Sequence, residues 1–380
     1  MPQRIRVLEL LVSTDLGGGP THVRDLVAGL AGPEFSLTVA GPGGGALVEP
    51  ITAAGADFMP VLANRLSIGT LWQTVHLART IGAQVIHSHG KGAGLYGRLA
   101  ARLTGAAAIH PFHGIHSARY SSLYLRLERA LARWTFAVIH VSDSQAAEAG
   151  PLGLAPAGRS RVIVTGIDAE QVRTIAARDP ISRAGLCLKP DALVIGTIAR
   201  LDSVKRLDAL LLALPLLLRR VPEVQLLIVG DGPEREPLRA LADRLDLGGS
   251  VVFAGAIPDA ARVLPLLDLY VTASRREGLP LAVLEAMACG LPVLATRVIG
   301  HVDAVLDGVT GRLVPVDDVD YLAAAAADLL SDPGRRAAMG RAGRERVERC
   351  FSQARMVHEI AELYREAVGR MGNIALGQTT

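Results

Sequence analysis

Short apolar runs and amphipathic stretches alternate along the first half of the chain. The amphipathic stretches repeat their apolar residues at helical spacing, as Val23, Leu26, Val27 and Leu30 do. Alternating strands and helices are typical of a parallel sheet with helices on both faces. The pattern predicts strands at 5–11, 36–40, 85–87, 108–112, 137–141 and 161–165, and helices at 71–81, 93–103, 123–134 and 144–149.

The same alternation restarts after a mixed, polar segment at 169–190, which contains two X-Pro breaks. A chain of 380 residues is long for one core. We therefore expect an α/β protein with domains at 1–172 and 185–350, a linker between them, a last helix at 353–371 and a disordered tail at 372–380. The strands predicted after the linker are 193–198, 224–229, 251–253, 269–273, 293–295 and 311–314, and the helices are 207–220, 234–245, 259–267, 321–330 and 334–349.

Two carboxylates frame the start of one predicted helix. Glu277 lies in the loop after strand 269–273, and Glu285 lies eight residues later, inside the helix that Pro280 begins. Their spacing lets both acids face one ligand at different depths, beside a helix N-terminus that attracts anions. The alternative is a surface helix with two solvated acids.

Arg200 and Lys205 stand between strand 193–198 and the next helix. At that position an arginine fork and a lysine point charge can bind a diphosphate. Isolated basic residues are more often surface charges. Their place in the same predicted sheet as Glu277 favours the binding interpretation.

A glycine-rich loop, Gly17-Gly18-Gly19-Pro20, follows the first strand. Its backbone N–H groups can approach a phosphate or sugar oxygen. No Gly-Lys-Ser/Thr follows, and no acid ends the next strand, so it is neither a Walker loop nor a dinucleotide fingerprint. A plain turn is the alternative.

Five histidines lie at two predicted strand ends, in His87-Ser88-His89 and His110 to His116. Because no neighbouring acid or cysteine completes a tetrahedral set, we predict no metal site. A structural role is the default for each. His113, which precedes a glycine just past a strand, is the one we expect to meet a substrate.

Charge is uneven although the net charge is only +3. Between residues 61 and 140, nine Lys/Arg face a single acid, Glu128. Such a basic field suits an anionic partner, whereas the chain as a whole is no nucleic-acid binder by charge.

Three scattered cysteines fit a reducing cytoplasm. We expect no signal peptide and no apolar run of about 18–20 residues that could span a membrane.

The helix predicted at 123–134 alternates arginines with aromatic residues. Basic residues beside interfacial aromatics suit a helix that lies on anionic lipid. An ordinary amphipathic helix with solvated arginines is the alternative. Asp318-Val319-Asp320 is formally a DxD, but its place at a helix start makes dipole complementation the better explanation.

Taken together, these motifs resemble the retaining GT-B glycosyltransferases of family 4, over nearly the whole chain. The resemblance rests on the glycine loop at 17–23, the turns at 164–168 and 229–233, the segments 196–206 and 307–315, and above all Glu277-x7-Glu285. It implies two Rossmann-like domains with parallel sheets facing a central cleft, and a last helix that crosses back to the first domain. It also implies a nucleotide-sugar donor, with no cofactor and no required metal.

Roles carried over by position make Arg200 and Lys205 contacts of the diphosphate, Glu285 an acceptor from the ribose and Glu277 a ligand of the donor sugar. Arg200, Lys205, Glu277 and His113 form the expected catalytic set. The resemblance also implies donor or base contacts at Gly17, Gly18, Gly230, Gly255, Ala256, Ile257, Gly278, Leu279 and Pro280.

The chain departs from the family pattern at two places. Thr165 stands where the family typically has Asn, and Ile299 to Asp303 stand where it often has Gly-Gly-x-Pro-Glu. At the second place, Asp303 is the candidate substitute for the acid of the family pattern.

A narrower resemblance, to enzymes of bacterial surface-polysaccharide synthesis, rests on 87–94, 112–114 and the basic helix. It implies a saccharide or polyprenyl-diphosphate-linked acceptor, peripheral attachment to the inner face of an anionic membrane, and acceptor- or membrane-side roles for His89, Lys91, Arg119 and Arg126. We expect a UDP-linked hexose or N-acetylhexosamine rather than GDP-mannose. The alternatives are a sugar-nucleotide 2-epimerase and a non-catalytic partner subunit.

Overall fold

The computed structural model describes residues 4–63, 67–112, 122–156, 158–178 and 181–375. They form two compact units, one comprising residues up to Thr165 together with those from Gln353 onward, the other spanning Gly166–Ser352.

The division lies earlier than the predicted boundary at 172. Helix α7 (Ala169–Ala177) buries Val172 and Ala176 in the second unit. Asp168 caps this helix by accepting a hydrogen bond from the Gln171 N–H at 2.9 Å. The polar 169–190 segment is therefore part of the second unit rather than a linker, because its helix has an apolar face to bury.

The first unit contains a seven-stranded parallel sheet in the order β3-β2-β1-β4-β5-β6-β7. Its strands are β1 (Ile5–Leu11), β2 (Phe35–Gly41), β3 (Asp57–Pro60), β4 (Val85–His89), β5 (Ala107–Phe112), β6 (Ala137–His140) and β7 (Ser160–Val162). Its helices are α1 (Gly18–Leu30), α2 (Val48–Ala53), α3 (Ile68–Thr80), α4 (Lys91–Thr104), α5 (Ser122–Ala132), α6 (Asp143–Leu152) and α14 (Gln353–Ala375).

Helices cover both faces of this sheet, as the apolar runs predict. Side chains alternate along a strand, so Val7 and Leu11 of β1 join one buried core while Leu8 and Leu10 join another. Helix α14 supplies Met356, Ile360 and Tyr364 to the first of these cores.

The second unit contains a six-stranded parallel sheet in the order β10-β9-β8-β11-β12-β13. Its strands are β8 (Leu193–Ile198), β9 (Val224–Val229), β10 (Val251–Gly255), β11 (Leu269–Thr272), β12 (Val293–Thr296) and β13 (Gly311–Val314). Besides α7, its helices are α8 (Leu207–Leu218), α9 (Arg235–Arg244), α10 (Leu281–Ala288), α11 (His301–Ala304), α12 (Val319–Leu330) and α13 (Pro333–Cys350).

Strand order reverses direction at one point in each sheet, between β1 and β4 and between β8 and β11. Ligands of open parallel sheets bind beyond the carboxyl ends of strands at such switch points. The two switch points are therefore the expected ligand sites of the two sheets.

Several elements differ from the sequence predictions. Strand β3 and helices α2, α7 and α11 were not predicted. Strand β3 is a largely exposed edge strand, and α2 and α11 are only six and four residues long. Residues Ala260–Leu266 form a 3-10 helix, in which Pro265 cannot supply an N–H. Helix α14 continues to Ala375, so the tail prediction is wrong for 372–375. Among the described residues, no helix combines the length and apolar character needed to cross a bilayer.

Candidate functional site

Lys205 and Glu277 form an ion pair at the switch point of the second sheet. The Lys205 Nζ donates to both carboxylate oxygens of Glu277, at 2.7 and 2.9 Å. Lys205 lies in the loop after β8, and Glu277 lies in the loop after β11. Those two strands pair in parallel, so both loops leave the same edge of the sheet, and residues 72 positions apart meet.

The carboxylate of this pair is ionised at neutral pH. Its side chain is only 10% exposed, and burial alone would raise its pKa. The positive charge of Lys205, with hydrogen bonds from Lys205 and Ser274, outweighs burial, so the pKa of Glu277 lies below its ordinary value.

Helix α10 places Glu285 close to this pair. Val283 and Leu284 are buried and hold the helix to the sheet, while Glu285 is half-buried on another side. Burial raises the pKa of Tyr270, and both Glu285 and Glu277 raise it further. Both carboxylates therefore act on one buried phenol of β11, as expected of two acids that face one region.

Arg200 is the exposed member of the predicted diphosphate contacts. Its side chain is 64% exposed, against 27% for Lys205. Its Nε donates to the Asp202 carboxylate at 3.0 Å. The other Asp202 oxygen accepts from the backbone N–H groups of Val204 and Lys205 at 3.1 and 3.3 Å. Asp202, which sequence reasoning missed, thus orders the loop that carries both basic residues.

Glycines bring the loops after β8, β9 and β10 together. Gly230 has φ 133°, and a Cβ built on it would lie 1.9 Å from the Ala199 carbonyl oxygen. Its N–H donates to the Gly255 carbonyl oxygen at 2.8 Å. Gly230 and Gly255 therefore have a structural role. Their predicted donor contacts, like those of Ala256 and Ile257 that follow, stay predictions.

The loop that departs from the family pattern packs directly against the Glu277 loop. A Cβ on Gly300 would lie 2.1 Å from the Gly278 carbonyl oxygen. The next residue, His301, is fully buried, and its Nδ1 lies 2.8 Å from the Thr296 carbonyl oxygen. Asp303 accepts from the Gly300 N–H at 3.1 Å, which makes it a cap of its own loop.

His301 is a neutral imidazole, and one of its ring nitrogens is buried without a hydrogen-bond partner among the described residues. Because Nδ1 donates to a carbonyl, Nε2 is the unprotonated nitrogen. Nε2 is buried, with no hydrogen-bond partner in the described part of the chain. Burial is the main reason that the pKa of His301 lies below its ordinary value, so the ring is neutral beside Glu277 and Lys205.

Two predicted residues, His113 and Arg119, lie outside the described residues. Gly17 precedes α1 and Gly18 begins it. Leu279 and Pro280 immediately precede α10, where Pro280 is the residue before the first helical turn. The donor contacts predicted for these residues stay predictions.

Helix α5 presents the basic face that the sequence predicts. Arg126, Arg129 and Arg133 line one open groove on it, and its Leu123 is 75% exposed. A buried ion pair between Glu128 and Arg98 of α4, at 2.8 Å, anchors the helix.

Lys91, at the start of α4, lies near this helix, with its Nζ 5.0 Å from the centroid of the Tyr124 ring.

Asp318, the first acid of the formal DxD, caps α12 by accepting from the Tyr321 N–H at 2.9 Å. That acid has the helix-start role expected of it.

His89 is not on the basic surface. Its side chain is 2% exposed, and its Nε2 lies 2.8 Å from the Glu9 carboxylate. His87 approaches the same carboxylate oxygen, with its Nδ1 at 3.2 Å. The expectation that no acid accompanies these histidines is wrong, because parallel pairing of β1 with β4 sets Glu9 directly opposite His87.

Comparison with known proteins supports the family resemblance. A family model described as "Glycosyltransferase Family 4" matches residues 16–171, and one described as "Glycosyl transferases group 1" matches residues 180–346. A GDP-mannose-dependent alpha-(1-6)-phosphatidylinositol monomannoside mannosyltransferase of Mycolicibacterium smegmatis is 43% identical over 182 residues, which are 44% of this chain and 47% of that protein.

A second relative is similar over more of its length. The D-inositol 3-phosphate glycosyltransferase of Saccharomonospora viridis is 30% identical over 318 residues, 77% of this chain and 72% of that protein. Among solved structures, Anabaena Alr3699/HepE in complex with UDP and glucose superposes with a TM-score of 0.84 at 22% identity, covering 96% of this chain and 100% of that one.

Proposed function

The chain belongs to family 4 of the GT-B glycosyltransferases, and from that premise we propose that it is a retaining hexosyltransferase that uses a UDP-linked hexose or N-acetylhexosamine. The observation that carries the proposal is the Lys205–Glu277 pair beside Glu285, at the switch point of the second sheet. The proposed acceptor is a saccharide or a lipid-linked saccharide of cell-surface polysaccharide synthesis.

The pair can bind the donor without first breaking. A lysine ammonium has three N–H donors, and Glu277 takes two of them. The third can reach a phosphate oxygen while the carboxylate accepts from hydroxyls of the donor sugar. Arg200, which is exposed, supplies the second cation for the diphosphate, and Glu285 accepts from the ribose hydroxyls.

The proposed reaction is a front-face substitution. The bond from the anomeric carbon to the diphosphate breaks as the acceptor oxygen approaches from the same face, and the leaving diphosphate takes the acceptor's proton. Lys205 and Arg200 stabilise the charge that develops on the leaving group. Glu277 is engaged with Lys205 and so serves as a ligand rather than as a covalent nucleophile. No metal ion is required by this scheme.

The donor is identified by thermal shift with UDP-glucose, UDP-N-acetylglucosamine and GDP-mannose at equal concentrations. GDP-mannose is the necessary competitor because one relative depends on it, whereas a structural neighbour was solved with UDP and glucose. A larger shift with a UDP-sugar supports the proposal. A larger shift with GDP-mannose overturns the choice of base, and no shift with any of the three overturns the donor site.

The basic face of α5 is proposed to hold the protein at the inner, anionic membrane surface near its acceptor. Neutralising its three arginines (Arg126→Gln, Arg129→Gln and Arg133→Gln) should weaken sedimentation with anionic liposomes, since each basic residue near such a surface contributes about 1 kcal/mol. Equal sedimentation of this variant and the wild type overturns membrane attachment.

A matched control removes the same charge elsewhere. Arg219, Arg244 and Arg341 are exposed residues of the second unit, and their replacement by glutamine should leave liposome binding unchanged. Equal loss in the two triple variants would show that only net charge matters.

Release of free sugar in the absence of an acceptor would favour hydrolytic or epimerase chemistry over transfer.

A further inference from the structure

A buried polar cluster lies at the switch point of the first sheet, apart from the residues assigned to the donor. Glu9 of β1 is fully buried, and so is His87 of β4. His89, two residues further along β4, and Tyr364 of α14 complete the cluster. These four residues come from three elements that are far apart in the sequence.

Their polar atoms converge on a small volume. One Glu9 oxygen lies 2.8 Å from His89 Nε2 and 3.2 Å from His87 Nδ1. The other accepts from the Tyr364 hydroxyl at 2.6 Å, and this hydroxyl is also 2.6 Å from His87 Nδ1. The ligand atoms of Glu9, His87 and His89 all lie within 4.8 Å of one another.

The residue types match a known class of ligand set. Two imidazoles and one carboxylate, with a fourth oxygen, are a set that zinc accepts. Bonds of about 2.0–2.1 Å in a tetrahedron separate ligand atoms by roughly 3.3 Å. The separations from Glu9 to the two histidines are 2.8 and 3.2 Å, within about half an ångström of that tetrahedral spacing.

The carboxylate needs a positive partner. A buried charge is costly unless it is paired or coordinates a metal. The ion-pair partners that the described residues give Glu9 are His87 and His89, with no lysine or arginine among them. The compensating cation is therefore either a proton on an imidazole or a metal ion.

We propose that Glu9, His87 and His89 bind one divalent transition-metal ion, with zinc the best chemical match and the Tyr364 hydroxyl as the fourth ligand. Each imidazole would present the nitrogen that now faces the carboxylate, with its proton on the other nitrogen. The ion would join β1 and β4 to α14 and would be structural, so the inference does not depend on the donor assignment.

The test uses untagged full-length protein, freed of metal and then titrated with zinc. We expect about one tightly bound zinc per chain by elemental analysis after gel filtration, and a melting temperature that rises with zinc concentration. Substitution by cobalt(II) should give the intense visible absorption of a tetrahedral site. Wild-type protein that retains no zinc and gives no such absorption overturns the proposal, and the cluster is then a hydrogen-bond network.

Variants locate the site. Glu9→Gln keeps the shape of the side chain but removes the anionic ligand, and should abolish stoichiometric binding. His140→Gln changes another buried histidine of the same unit, outside the cluster, and should bind zinc like the wild type. Zinc retained equally by both variants overturns the assignment to this cluster. If Glu9→Gln does not fold, Tyr364→Phe replaces it, with weaker zinc binding expected and unchanged binding contradicting the fourth ligand.

Discussion

Replacing Lys205 with methionine tests the central pair, because methionine keeps most of the side-chain volume and removes the charge. The change leaves the Glu277 carboxylate, 10% exposed, without its cation. Removing one partner of a fully buried pair costs about 3–5 kcal/mol, and of an exposed pair about 0.2–1 kcal/mol. Since Lys205 is 27% exposed, we expect an intermediate loss of about 2 kcal/mol.

The functional loss should be larger than the stability loss. If Lys205 stabilises the departing diphosphate, its removal should lower kcat by about 10²–10³-fold, the typical effect of deleting one electrostatic contact to a transition state. Thermal unfolding and steady-state transfer are measured on Lys205→Met, Glu277→Gln and the double variant. The control Arg275→Gln breaks an exposed ion pair with Asp317 and should cost under about 1 kcal/mol.

The double variant tests whether Lys205 and Glu277 are energetically coupled. Without the carboxylate there is no unpaired buried charge, so the double variant should be more stable than Lys205→Met alone, while its activity stays low. If the stability losses of the two single variants simply add, the two groups are not coupled, and the proposed arrangement of the site is wrong.

Three further predictions concern the same unit. The pKa of Glu277 is lowered in the folded chain, so its contribution to stability is complete above the unfolded carboxyl value of 4.5 and is lost only as the pH falls through the lower folded value. Because Glu277 keeps its charge over that range, donor affinity measured by calorimetry should be constant from about pH 8 to 5, and a decline that begins near neutrality would contradict this. His301→Asn keeps an N–H for the Thr296 carbonyl whereas His301→Leu does not. If this hydrogen bond holds the loop at 300–303 against the Glu277 loop, the leucine variant should raise the donor KM about 5–10-fold more than the asparagine variant, as one lost hydrogen bond would; equal KM values would show that it does not. Gly230→Ala should destabilise by more than about 2 kcal/mol in urea unfolding because its Cβ meets a backbone oxygen at 1.9 Å, while Gly248→Ala, with open space around it, should be nearly neutral; similar losses in the two would refute the steric argument.

The sequence predicts correctly that the candidate donor residues stand at the carboxyl ends of strands of one sheet. Glu277 and Glu285 are close along the chain, and a strand–loop–helix pattern fixes where each stands. Arg200 and Lys205 follow another strand of the same sheet. What the pattern did not show is that Lys205 binds Glu277 directly, because that contact depends on β8 and β11 being neighbours, and strand order is not encoded in local periodicity.

The buried cluster of Glu9, His87, His89 and Tyr364 shows more clearly what local sequence patterns do not predict. Glu9 interrupts an apolar strand, which is a signal that a polar partner is needed, but nothing nearby in the sequence names the partner. His87 is 78 positions away, and Tyr364 lies in the last helix. The predicted domain boundary lies too late in the chain for a related reason, since α7 packs against the segment Ala260–Leu266 and against α10, which come much later in the sequence.

The return of α14 to the first unit has a consequence for synthesis on the ribosome. The second unit is one continuous segment and can complete its core as soon as residue 352 is available. The first unit, although translated first, lacks Met356, Ile360 and Tyr364 until the final helix emerges. The Glu9 carboxylate and the apolar side chains that α14 covers therefore stay exposed to solvent while the second unit is being translated.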